Sequence, residues 1–150
     1  MTMTPATITS RDLSGQWALA CFVYRWPDGR ELAPFGAAQG QLIYLTAGDD
    51  RPGRMAVQIV ASERPPLDPT SETSLAAHFR SGFAYGGRWS LENETVHHDV
   101  DIASLVFWQG ARLSREVSLE NGRLQLSTDE PSPQLPEGGY RTILEWVRPV

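Results

Sequence analysis

The chain of 150 residues contains one cysteine, Cys21. A single thiol can form neither an internal disulfide nor a thiolate zinc cluster. The expected role of Cys21 is that of a small buried hydrophobe in the strand around Phe22. Long apolar runs are also missing, and nothing approaches the length of a membrane span. The N-terminal MTMTPATITSRDL lacks a basic stretch followed by an apolar core, the plan of a secretory signal, so a cytoplasmic location is expected. Positive charge is scarce and scattered. The formal net charge is -5, and no basic cluster is longer than a pair. That excludes the concentrated positive face required by nucleic acid or an anionic membrane surface.

Familiar catalytic motifs are absent too. Gly86-Gly87 is followed by neither a Lys-Ser/Thr pair nor a strand-to-helix turn, so it is no phosphate loop and fits a strand bulge better. There is no nucleophile elbow, and Ser90 and Ser104 are near the histidines in sequence only. No cofactor motif occurs.

What is present describes a folded globule. Hydrophobic residues make up 41% of the chain and include five tryptophans, enough for one domain with a core of its own. Residues 1–12, polar and Thr-rich, read as a flexible arm, and residues 13–150 as the single domain. GQWALACFVYRW is a first strand, with Trp17, Leu19, Cys21 and Val23 on its inner face, and Trp26-Pro27-Asp28-Gly29 is turn chemistry that ends it. Residues 30–40 read as loop. GQLIYLT and RMAVQIVA form a hairpin. After three closely spaced prolines, Thr70 or Ser71 offers an N-cap with Glu72 in the first turn, and the one convincing helix runs over residues 71–81, placed to cap or flank a barrel end. FAYGGRWSLE, the His-His strand, a strand ending at Leu119, RLQLS and YRTILEWVR follow, with Asn121-Gly122 the clearest hairpin turn. About eight short strands joined by turns favour an all-β, up-and-down antiparallel barrel, whose closure removes exposed edges.

The stretch from Thr95 to Leu126 carries the polar groups of most interest. Val96, His98, Val100 and Ile102 share one parity, and so do Leu113, Arg115, Val117 and Leu119, so each strand brings a polar group to its apolar face. Such a group belongs either to a buried hydrogen-bond network or to a cavity that holds something. His98 points inward and His97 outward. His98 is either a core histidine satisfied by a carbonyl or a tyrosine, or a pocket residue able to act as general acid or base. Arg115 cannot shed its charge and needs a partner: an aromatic ring, a carboxylate or a ligand. Tyr44, Tyr85, Trp89 and Trp108 are candidate ligand contacts, weighed against an ordinary core role. His78, His97 and His98 do not converge, so no metal site is expected.

Gly15-Gln16-Trp17 matches the G-x-W pattern of the lipocalin superfamily. Tyr85-Gly86-Gly87-Arg88, Val96-His97-His98, Gly110 with Arg115, Asn121-Gly122 and Leu144-Glu145-Trp146-Val147-Arg148 follow in order, a series that resembles the lipocalin-like domain family of small bacterial and fungal barrels from about Leu13 onward. The resemblance implies a barrel open at one end and an arginine, Arg115 or Arg148, closing the other over Trp17 beside Gly15. The sequence departs from the family at Leu105-Val106-Phe107-Trp108, which is more apolar than the usual loop, and it has no late histidine of the kind that haem-binding barrels use.

Three functions follow as expectations. The first is a barrel that binds a small, mostly apolar molecule with a polar or acidic group. The second is a cofactor-independent isomerase, cyclase or hydro-lyase in which His98, Tyr85 and Arg115 do the chemistry. The third is a structural or interaction barrel filled by its own side chains. A homodimer is compatible with each.

Overall fold

A computed structural model describes residues 7–49, 51–130 and 139–150. Half of the expected arm, residues 1–6, lies outside them, as do residues 50 and 131–138. Within its described part, Ser10–Leu13 forms a helical turn, α1, because Thr9 and Asp12 make a reciprocal capping box.

Nine strands follow among the described residues: β1 (Gly15–Arg25), β2 (Glu31–Leu32), β3 (Ala38–Ala47), β4 (Arg51–Ala61), β5 (Gly82–Glu92), β6 (Thr95–Ala103), β7 (Arg112–Glu120), β8 (Arg123–Glu130) and β9 (Tyr140–Val147). Every pairing is antiparallel. The order is β2-β1-β3-β4-β5-β6-β7-β8-β9, and β1 also pairs with β9, which closes eight strands into a barrel. The short β2, which the sequence reading assigned to loop, is an added hairpin arm on the end of β1. Asn121 and Gly122 both have positive φ, as a two-residue turn between Glu120 and Arg123 requires.

Two bulges correct the expected side-chain parity. Between β1 and β9 the register shifts at Leu19/Cys21, making Ala20 the extra residue. Phe22 and Tyr24 therefore face the interior rather than Cys21 and Val23, and Cys21 is only half-buried, opposite Glu145. Between β5 and β6 the shift falls at Gly86/Gly87, with Asp101 extra. Ile102 is thereby turned outward and 66% exposed, while Ala103 packs against the core. A Cβ on Gly87 would lie 2.0 Å from the Asp99 carbonyl oxygen, so only glycine lets β6 approach so closely here.

One end of the barrel is sealed. Leu13 of α1 is fully buried, and the Trp17 indole N–H donates to its carbonyl at 2.9 Å. The closing arginine is Arg148, not Arg115: its guanidinium lies over the Trp17 ring and donates to the carbonyls of Gln16 and Asp12. Gly15, at φ +103°, leaves room for it. The opposite end carries the long connections, including the helix α2 (Glu72–Phe79), capped by Ser71 and one turn shorter than expected. Helix α2 buries none of its residues, so it flanks that end and does not plug it.

Candidate functional site

The sealed half of the barrel is packed solid by Trp17, Leu42, Met55, Trp89, Val96, Leu124 and Trp146. Above it opens an interior cavity of about 630 Å³, a size typical of small-molecule sites. The upper wall is aromatic. Phe22 packs on Phe35 with centroids 5.5 Å apart, and Phe83 on Trp108 at 5.1 Å, with Tyr24 and Tyr140 near the open end. Inward residues of alternating parity, Leu113, Leu126 and Leu144, complete the apolar lining. A second depression of about 420 Å³ lies on the outer face of β3–β6 and has no charged lining residue.

Polar groups gather at the boundary between cavity and core. His98, 1% exposed, sits between two phenols: its Nε2 is 2.7 Å from the Tyr44 hydroxyl and its Nδ1 is 2.6 Å from that of Tyr85. Tyr44 lies on the core side, fully buried, its ring 4.6 Å from that of Trp89. Tyr85 and His98 border the cavity, but Tyr44 does not. Burial, reinforced by the Arg115 cation, lowers the His98 pKa to about 3, which keeps the ring neutral. Burial raises the Tyr85 pKa to about 12 and pushes that of Tyr44 well above the ordinary phenol value. All three groups are uncharged at neutral pH.

Arg115 projects from β7 into the same cavity, opposite Val96 in register. Its guanidinium donates to the Ser114 carbonyl at 3.0 Å, and among the described residues no carboxylate pairs with it. Other arginines behave differently. Arg54 pairs with Asp101, Arg112 with Asp99 and Arg123 with Glu145 on the outer surface, where such pairs contribute little.

Of the expected ligand contacts, Tyr85, His98, Trp108 and Arg115 border the cavity. Tyr44 stands one layer behind His98. Trp89 is a core residue, its indole N–H bound to the Leu45 carbonyl at 2.8 Å. The other histidines are elsewhere: His97 faces outward onto Ser114 and Glu92, and His78 of α2 meets Arg64. Among the described residues, no three His, Cys, Asp or Glu side chains gather where they could hold a metal ion.

Sequence reasoning missed Trp146, which lines the cavity while its indole Nε1 is buried without an acceptor among the described residues. The alternation of Leu144 and Trp146 on the last strand was the signal available. It also missed Phe22, which the Ala20 bulge places on the inner face, and Thr142, which shares the inward parity of Leu144 and Trp146 on β9.

No curated protein matches the chain. A protein-family model described as a lipocalin-like domain matches residues 14–148, the whole barrel together with its closing Trp17 and Arg148. The chain therefore belongs to the lipocalin-like domain family.

Proposed function

We propose that the barrel binds a small, mostly apolar molecule bearing a polar or acidic group, held in the interior. The observation that carries this reading is Arg115, a permanent cation on the wall of an aromatic cavity with no carboxylate partner among the described residues. A ligand acid would pair with it, while the rings of Phe22, Phe83 and Trp108 bury the apolar body. The cavity volume also speaks against a barrel filled by its own side chains.

The test is titration with 1-anilinonaphthalene-8-sulfonate, an apolar aromatic anion, followed by displacement with a panel of apolar acids and phenols. Saturable binding that weakens about tenfold or more in R115Q supports the reading, in line with loss of a charge-assisted contact. Indifference of both probe and tryptophan fluorescence across the panel would sink it.

A second reading, a cofactor-independent isomerase, cyclase or hydro-lyase, draws on the chain of contacts Tyr85–His98–Tyr44. With His98 held neutral and engaged at both nitrogens, the group presented to a substrate is the Tyr85 hydroxyl, suited to stabilising an enolate-like oxygen. Turnover lost in Y85F while substrate binding persists would favour this reading over simple carriage.

A further inference from the structure

We infer that the inner end of the cavity is a donor-only site, built for the oxygen acceptor of a ligand and best for a carboxylate, because His98 carries its proton on Nδ1 and leaves the Tyr85 hydroxyl hydrogen free for the ligand. This inference rests on the reading of the barrel as a binding protein and specifies the chemistry of what it takes.

The argument is a count of hydrogens. Two neutral phenols and one neutral imidazole carry three hydrogens on oxygen or nitrogen. The two contacts at 2.7 and 2.6 Å use two of them. The third hydrogen must sit on one of the tyrosines, facing away from His98. If His98 were protonated on Nε2, it would donate to Tyr44, Tyr85 would donate to Nδ1, and the spare hydrogen would belong to Tyr44. Tyr44 is fully buried against Trp89, and His98 is its sole hydrogen-bond partner among the described residues. A hydroxyl hydrogen stranded there would bear the full desolvation penalty. With the proton on Nδ1 the direction reverses. Tyr44 donates to Nε2, Nδ1–H donates to Tyr85, and the spare hydrogen belongs to the tyrosine that borders the cavity.

One neighbour repeats the pattern. Arg115 offers only donors, and its one hydrogen bond among the described residues goes to the Ser114 carbonyl. Two strands, β5 and β7, thus bring donors to one chamber. The carboxylate of Glu130 lines the cavity from the last residue of β8, at the open end. An anionic ligand would therefore be repelled at the open end and attracted inward, entering head first with its acid toward Arg115.

Three naphthalene probes test this on the unaltered protein by calorimetry at neutral pH: 2-naphthoate, naphthalene and 2-naphthylmethylammonium, each up to its solubility limit. Naphthoate is expected to bind about tenfold or more tighter than naphthalene, and the ammonium more weakly than either. In Y85F the naphthoate-to-naphthalene affinity ratio should fall about three- to tenfold. Nitrogen-15 spectra of the imidazole should show His98 as the Nδ1–H tautomer. An Nε2–H tautomer, or an ammonium probe that binds as tightly as naphthoate, overturns the inference while naphthalene binding leaves the cavity reading standing. If none of the three binds, the cavity reading falls and this inference falls with it.

Discussion

The guanidinium carbon of Arg148 lies 3.7 Å from the centre of the Trp17 ring, and the same side chain donates to two backbone carbonyls of the preceding segment. It joins the last strand to the first strand and to α1. R148A removes the cation-π contact and both hydrogen bonds at a partly solvated site and is expected to cost about 1–2 kcal/mol. Urea denaturation measures it, and binding in the distant cavity should be unaffected. R148K, which keeps the charge but loses the planar fork, should fall between the two.

Tyr44 and His98 form a buried polar pair in an otherwise apolar layer. Y44F leaves a ring nitrogen without its partner and should destabilise the barrel by about 1–3 kcal/mol. H98L strands two hydroxyls instead of one nitrogen and should cost more. A double-mutant cycle between Y44F and H98L should give a coupling energy that differs clearly from zero; simple additivity would show that the contact contributes nothing.

The pH dependence of stability follows from the same burial. His98 has a pKa near 3 when folded, against 6.5 for an ordinary histidine, so between these values the unfolded chain holds the extra proton. Stability is therefore complete above pH 6.5 and falls as the pH drops below it, by about 1.4 kcal/mol per pH unit. Asp68, Asp99 and Asp101 have carboxyls held below the ordinary aspartate value of 3.8, chiefly by hydrogen bonds from Thr70, Arg112 and Arg54. Their contribution fades only near and below that value. The window from 6.5 to about 4.5 thus belongs to His98. Urea midpoints across it should decline in the natural chain and stay nearly level in H98Q.

Gly87 marks the bulge that turns Ile102 out of the barrel. G87A forces a methyl group to within 2.0 Å of the Asp99 carbonyl oxygen unless the strands separate. The expected loss is about 1–3 kcal/mol or more, read from the thermal midpoint. Because Tyr85 and His98 lie on the two strands concerned, probe affinity should fall as well.

How much of this was legible in the sequence depends on whether a signal is local. The eight barrel strands followed from alternation and turns, since in a meander each strand pairs with its neighbour in sequence and only the β1–β9 closure spans the chain. His98 and Arg115 stood out because a polar residue in an apolar row is visible without coordinates. Parity could be extrapolated only as far as the next bulge. Ala20 and Asp101 each add one residue, and beyond them the expected faces of Cys21, Val23 and Ile102 were reversed. Depth along the barrel was not legible either. Tyr44, Trp89 and Tyr85 share an inward face, yet only Tyr85 reaches the cavity, because position along the axis depends on strand stagger rather than on periodicity.

The hydrogen bond from Arg148 to Asp12 has a practical corollary. It holds α1 and the residues that follow β9 side by side beneath the sealed floor, so a dye attached to either of these two segments would hang below the cup and leave its mouth clear. Immobilising the molecule through them would present the opening to solvent, the orientation that a surface-based assay of ligand uptake needs.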